Sequence, residues 1–104
     1  MLSNSEEKNA LKSHLIWVAD NRRNVFQRVS GLEWIEKIKG KATFVFRQVN
    51  YDELRGMILY DPNRNIYVGL NDYEAVSGFN EDALNHLYDG KWVDSLNEVE
   101  LEGI

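Results

Sequence analysis

Residues 20–26 read DNRRNVF, and residues 61–67 repeat the same pattern as DPNRNIY. Each copy follows an apolar run, at 15–19 and at 57–60, and each continues into β-branched or aromatic residues. An apolar run, a polar turn opened by Asp and a β-rich exit are typical of a β-hairpin. The repeat therefore predicts two similar hairpins and, with them, a mainly antiparallel β domain.

The stretches around this repeat extend the β pattern along the chain. Residues 42–49 are rich in β-branched and aromatic side chains, which favours a strand. A looser third copy of the repeat at 87–93, LYDGKWV, places an Asp-Gly turn before a further strand. Residues 32–39 alternate as a strand but also fit a two-turn helix, which would make the fold α+β; the neighbouring hairpins favour the strand. We expect an antiparallel meander of about six to eight short strands, forming a curved sheet or small barrel.

One or two short helices are expected beside the sheet. Residues 3–14 carry capping serines and a Glu pair in the first turn, although a disordered tail over 1–10 is the alternative. Asn80 is expected to cap a short helix that runs to Leu87. Near the C-terminus, residues 98–102 alternate acid and apolar, which predicts an edge strand with Val99 and Leu101 on one face. A disordered acidic tail over 95–104 is the alternative reading of that stretch.

Composition limits the class of protein. A chain of 104 residues forms one domain, 1–104, and 43% hydrophobic with 28% charged residues is ordinary for a soluble globular protein. The chain has no cysteine, which excludes disulfides and thiol chemistry; with a first segment unlike a signal peptide, this predicts a cytoplasmic protein. The net charge of −5 argues against nucleic-acid binding, and no apolar run reaches the roughly 20 residues of a membrane span.

Metal and cofactor binding are not predicted. Residues 61–65 match the opening of a calcium loop, but Ile66 occupies the position that needs glycine, and Asp72 the position that needs a bidentate Glu. Turn chemistry explains the same residues, since Asp and Asn side chains hydrogen-bond their own backbone. Neither His14 nor His86 has the spacing of a metal site.

Arg and aromatic residues are the candidates for a binding surface. Arg23 and Arg64 occupy the same place in the repeat, where each can pair with the turn Asp and cover apolar surface, or anchor an anionic group. Trp92 and Tyr88 lie close to the acidic C-terminal stretch, where an exposed aromatic surface could bind another molecule. The complete candidate binding surface consists of Trp92, Tyr88, Val99, Leu101, Arg23 and Arg64.

No motif for nucleophilic catalysis, phosphate binding or dinucleotide binding occurs in the chain. We therefore expect a non-enzymatic binding module of adaptor, inhibitor or immunity type, whose partner is another protein or a second copy in a homodimer. The alternative is a small-ligand or carbohydrate binder with an aromatic-lined pocket. A small enzyme that uses paired carboxylates, one with a raised pKa, is the third hypothesis.

Overall fold

The computed structural model describes residues 15–95, which form eight strands. Each strand pairs antiparallel with the next, and β8 also pairs with β1, so the sheet closes into a barrel. The strands are β1 (Ile16–Ala19), β2 (Asn24–Ser30), β3 (Glu33–Ile38), β4 (Lys41–Asp52), β5 (Gly56–Asp61), β6 (Ile66–Leu70), β7 (Glu74–Gly78) and β8 (Asn85–Val93). The antiparallel meander is thus confirmed in its barrel form, and residues 32–39 contribute the strand β3 rather than a helix.

Consecutive connections of this meander lie at opposite ends of the barrel, because neighbouring strands run in opposite directions. The β2–β3, β4–β5 and β6–β7 connections share one end with the start of β1 and the end of β8. The β1–β2, β3–β4, β5–β6 and β7–β8 connections share the other end. Side chains that are far apart in sequence meet at these two ends.

Aromatic and aliphatic side chains fill the barrel interior. An eight-stranded barrel is just wide enough for side chains to pack its centre. The core comprises Trp17, Ala19, Phe26, Trp34, Phe46, Met57, Leu59, Val68, Leu70 and Ala75. The polar atoms of the two buried indoles are satisfied: Trp17 Nε1 donates to the Asn71 carbonyl at 2.8 Å, and Trp34 Nε1 donates to Gln48 Oε1 at 3.3 Å.

Two local predictions near the C-terminus are wrong. The predicted Asp-Gly turn at 89–90 lies inside β8, where a Cβ on Gly90 would come within 2.3 Å of Trp17 Cη2. Gly90 therefore makes room for a core indole rather than for a turn. The helix from Asn80 to Leu87 is also replaced, by a loop and the start of β8. A two-turn helix has little stability of its own, whereas pairing of β8 with both β7 and β1 closes the barrel.

Glu81 in the β7–β8 connection forms hydrogen bonds with two residues of the β4–β5 hairpin. The Glu81 carbonyl accepts a hydrogen bond from Arg55 Nη1, and Glu81 Oε1 accepts one from Asn50 Nδ2 at 3.3 Å. Asn80 retains a turn-capping role, since its Oδ1 accepts the N–H of Asp82 at 3.0 Å. These contacts hold in place the segment predicted to be helical.

The repeat that predicted the hairpins is real in its turn chemistry but shifted by one residue. Asp61 Oδ1 accepts the backbone N–H groups two and three positions later, at 2.8 and 3.3 Å. In the first copy, Asn21 does this and not Asp20, with distances of 2.8 and 3.1 Å. The two turns also differ in their left-handed residue, which is Arg22 (φ 62), directly after Asn21, in the first and Asn65 (φ 55), at the far end of the turn from Asp61, in the second.

The predicted helix or tail before residue 15 and the predicted edge strand or tail after residue 95 lie outside the described residues, as do Val99, Leu101 and His14. Within residues 15–95 the regular elements are all strands, and this part of the chain offers no helix able to cross a membrane.

Candidate functional site

A pocket of about 240 Å³ opens at the end of the barrel where the β4–β5 and β6–β7 connections meet the end of β8. We call it the mouth pocket, and this end the pocket end. Its lining residues are Tyr51, Glu53, Leu54, Gly56, Leu70, Asn71, Asp72, Tyr73 and Trp92. Small-molecule sites usually start at roughly 300 Å³, so the mouth pocket suits a small ligand or one end of a larger one.

The deep wall of the mouth pocket is aromatic and rigid. Trp92 is half-buried, and its ring meets the buried Trp34 ring edge-on with centroids 6.1 Å apart. Tyr51 is also half-buried and packs against the core. At the rim the opposite holds, because Leu54 is 79% exposed and Tyr73 is 63% exposed. The pocket therefore combines a fixed wall with a solvent-exposed apolar rim.

The floor of the mouth pocket is a close contact between two backbone segments. Gly56 has φ +80, and a Cβ at this position would lie 1.9 Å from the Leu70 carbonyl oxygen. Asn71 follows directly; its Oδ1 accepts the N–H groups of Tyr73 and Glu74 at 3.0 and 2.9 Å. Since the Asn71 carbonyl also accepts the Trp17 indole N–H, the pocket floor is tied to the barrel core.

Two carboxylates give the mouth pocket its charge. Glu53 and Asp72 are exposed, and neither side chain has a hydrogen bond or ion pair with any residue in the described range 15–95. The adjacent Asp52 differs, because its Oδ2 accepts the Arg55 Nε–H at 2.6 Å. The pKa of the Tyr51 hydroxyl is raised, mainly by burial and further by the negative charges of Asp72, Glu53 and Asp52. Negative potential therefore reaches the aromatic wall.

A second cluster fills the opposite end of the barrel, which we call the closed end. Arg64 Nε donates to Asp61 Oδ2 at 2.5 Å, and Arg64 Nη2 lies 3.8 Å from Glu36 Oε1. Asn24 Nδ2 donates to Glu36 Oε2 at 2.9 Å. The guanidinium carbon of Arg64 sits 3.3 Å from the centre of the Phe44 ring. Arg64 thus pairs with the turn Asp and covers an apolar ring, as the sequence predicts.

The two carboxylates of the closed end have opposite pKa shifts. Burial raises the pKa of Glu36, and the hydrogen bond from Asn24 and the charge of Arg64 only partly offset it. Burial also acts on Asp61, but hydrogen bonds from the Arg64 side chain and from two backbone N–H groups outweigh it and lower the pKa. Both carboxylates are engaged by protein partners and neither lines the mouth pocket. This arrangement favours a structural role over the paired-carboxylate chemistry considered from the sequence.

The structure distributes the candidate binding residues over several places. Trp92 lines the mouth pocket, while Tyr88 is half-buried against the core, with a pKa raised by burial and by Glu36. Arg64 lies in the closed-end cluster, and Arg23 is exposed in the β1–β2 turn. Tyr88 and Trp92 are both half-buried, and both side chains pack against the barrel core.

Sequence reasoning missed most of the mouth pocket. Its members come from the segments YDEL at 51–54 and NDY at 71–73. Each segment places an aromatic residue beside an acid, at the end of β4 in the first case and in the β6–β7 connection in the second. That signal becomes useful only when the two connections are known to share an end of the barrel.

The remaining polar candidates are accounted for by local structure. Asp61 uses its oxygens on its own turn, and Asn65 Oδ1 accepts the Tyr60 hydroxyl at 2.8 Å, so the partial calcium motif serves the hairpin. His86 Nδ1 lies 2.9 Å from Glu74 Oε2 and remains half exposed. Within the described part of the chain, no group of three or more acidic, His or Cys side chains is arranged to hold a metal ion.

Comparison with known proteins returned no family model, no curated protein and no solved structure that matches this chain.

Proposed function

We propose that this protein binds a small ligand in the mouth pocket. The observation that carries the proposal is a concave site with aromatic walls and converging polar groups, at the end of a barrel whose interior is packed. Ligand sites in β-barrels occur preferentially at the mouth, with apolar walls and a few polar groups that orient the ligand.

Preorganisation supports this proposal. Trp92 is held by the Trp34 ring, and the floor is held by the contact of Gly56 with the Leu70 backbone. A ligand that enters such a site orders few additional groups, so more of the contact energy appears as affinity. Leu54 and Tyr73 at the rim are largely exposed and would gain burial when a ligand lies between them.

The inward orientation of the aromatic residues favours a ligand over the protein partner that the sequence suggested. Tyr88 and Trp92 were the aromatic members of the expected protein-binding surface, and both pack against the core. Pairing through Val99 and Leu101, in a homodimer or with another protein, stays a prediction. Light scattering of the full chain and of a chain ending at residue 94 tests it, because loss of the edge strand should lower the mass of a dimer. A cytoplasmic location, inferred from the lack of cysteine, accompanies both proposals.

A fragment screen followed by amide chemical shifts tests the ligand proposal. Bound fragments are expected to shift the amides of residues 51–56, 70–73 and 92, which surround the mouth pocket. If a diverse screen moves none of these amides, or moves only amides elsewhere, the proposal is wrong.

A matched pair of aromatic truncations sharpens the test. Tyr73→Ala removes a rim residue of the mouth pocket and is expected to weaken fragment binding several-fold, since stacking and burial at an exposed site are worth about 1 kcal/mol. Phe79→Ala removes an aromatic ring of similar exposure, 78%, that does not line the pocket. It should leave the affinity unchanged, and equal losses from both variants would contradict the assignment of the site.

A further inference from the structure

We propose that the ligand of the mouth pocket is an organic cation whose alkylated ammonium group lies against Trp92 and Tyr51, between the carboxylates of Glu53 and Asp72. This inference rests on the proposed function, because it names the chemical class of ligand for the same pocket.

The charged residues that line the mouth pocket are all acidic. Its lining includes two acidic residues and no Lys, Arg or His. The nearby Arg55 does not neutralise them, because its side chain donates to Asp52 and to the Glu81 carbonyl. An anionic ligand would meet uncompensated repulsion here, whereas a cation would provide the charge that Glu53 and Asp72 lack within the described structure.

The aromatic wall selects the kind of cation. Ammonium groups are attracted to the face of Trp or Tyr rings within about 6 Å, because the ring face is negative. The Trp92 and Tyr51 rings and the exposed side chain of Leu54 supply apolar surface for N-alkyl groups. A hard metal ion instead needs about six or more oxygen ligands, and two separate rim carboxylates do not provide such a set.

A neutral polar ligand such as a sugar is the competing occupant. A sugar could stack on Trp92 and hydrogen-bond to Asn71, but it would leave the charges of Glu53 and Asp72 unbalanced. Those charges act on the pocket wall itself, since they contribute, after burial, to the raised pKa of Tyr51. The cation is therefore the occupant that uses both the rings and the carboxylates.

An isosteric pair of probes tests the proposal on the full chain. Choline and 3,3-dimethylbutan-1-ol have the same shape, but only choline is charged. Calorimetric titration is expected to give about 5- to 30-fold tighter binding for choline, the range that cation–π attraction supplies. Choline affinity should also fall as sodium chloride is raised, because exposed carboxylates are screened by salt.

Variants that remove one negative charge at a time identify the carboxylates that attract choline. Asp72→Asn and Glu53→Gln keep the shape of each side chain, and each is expected to weaken choline binding several-fold without changing the affinity of the alcohol. Asp20→Asn removes an exposed acid at the closed end and should leave choline binding unchanged. Both pocket acids are exposed and lack partners within residues 15–95, so these variants are expected to fold; near-ultraviolet circular dichroism verifies this.

The outcomes separate this inference from the proposed function. Equal affinity for choline and the alcohol, or tighter binding of a monosaccharide, overturns the cation assignment and leaves the mouth pocket as a ligand site. If neither probe nor any sugar shifts the amides around the pocket, the proposed function itself fails. A peptide carrying trimethyllysine presents the same ammonium group. Tighter binding of this peptide than of choline supports the cation and assigns its source to a partner protein, and the reverse order assigns it to a free metabolite.

Discussion

The two ends of the barrel contain the same four-residue turn and use it differently. At the pocket end Asp52 Oδ1 accepts the N–H groups of Leu54 and Arg55, and Asp52 Oδ2 accepts Arg55 Nε–H at 2.6 Å. At the closed end Asp61 makes the corresponding bonds to Asn63 and to Arg64, with 2.5 Å to Arg64 Nε. The sequence repeat shows only the second of these Asp-x-x-Arg turns.

The difference lies in what each arginine meets beyond its turn. Arg64 stacks on Phe44 and lies near the buried Glu36, so its guanidinium covers the barrel interior. Arg55 instead reaches the Glu81 carbonyl in the β7–β8 connection and does not line the mouth pocket. One end is therefore filled by the protein's own cation, while the other presents a pocket with unpaired acids. Turn chemistry therefore builds both ends, and the partners of the side chains decide which end is filled and which end keeps a pocket.

The largest loss of stability is expected from a substitution in the floor of the mouth pocket. Gly56→Ala should destabilise the protein by about 3 kcal/mol or more, because its Cβ would overlap the Leu70 backbone and its φ is left-handed. Gly31→Ala has a similar φ, +49, but open space around the Cβ, and should cost about 1 kcal/mol. Urea unfolding measures both, and equal losses would show that the close contact beneath the pocket is unimportant.

The next largest loss of stability is expected at Arg64, and Arg55 is the matched residue at the other end of the barrel. Arg64→Ala should cost about 2 kcal/mol, since it leaves the buried Asp61 and Glu36 without their cation; this is less than for a fully buried pair because Arg64 is one-third exposed. Arg55→Ala should cost about 1 kcal/mol or less, because both partners of its ion pair are about 30% exposed. Chemical denaturation of the two variants gives the values. A larger loss at Arg55 would reverse the distinction between the ends.

A smaller, pH-dependent effect is expected from Glu36. Its pKa is raised above 4.5 in the folded protein, so its contribution to stability is present below its unfolded pKa and is lost as pH rises through the folded value. Asp61 and Asp52 have pKa values lowered below 3.8, so their contributions are present above 3.8 and are lost as pH falls. Glu36→Gln should therefore remove the decline in unfolding free energy above pH 4.5 and retain the loss at acid pH.

Unfolding midpoints measured across this pH range test the assignment to Glu36. Glu33→Gln serves as the control, because Glu33 is exposed on the same strand and lies outside the closed-end cluster. If the stability of Glu36→Gln changes with pH above 4.5 in the same way as that of the wild type, protonation of Glu36 does not cause the decline in this pH range.

The smallest effect on stability is expected at the pocket acids. Glu53→Gln and Asp72→Asn should change the free energy of unfolding by less than about 0.5 kcal/mol, because exposed side chains away from special features contribute little. Thermal unfolding measures this. A loss above about 1 kcal/mol would mean that these acids hold the fold together, and the contrast between an occupied and an unpaired end would no longer apply.

The sequence predicted well where local patterns control the structure. The β-branched and aromatic residues at 42–49 and the turn residues of the hairpins led to an antiparallel meander, and the Asp61–Arg64 pair followed from their spacing within one turn. The predicted helix from Asn80 to Leu87 was wrong because strand pairing on both sides of β8 outweighs weak local helix propensity. Gly90 was misread as a turn because its reason, the Trp17 indole, is 73 residues away in the chain (90 − 17).

By itself, the sequence determined the strand-rich class and the pairing of Asp61 with Arg64 within one turn, since these depend on neighbours along the chain. Only the tertiary structure decided that β8 returns to β1, which removes both sheet edges in the described residues and sets the ends of the barrel. It alone turned Tyr88 and Trp92 inward, and it alone placed Tyr51 beside Asp72. Barrel closure brings distant segments together, and no local pattern encodes which of them will share an end.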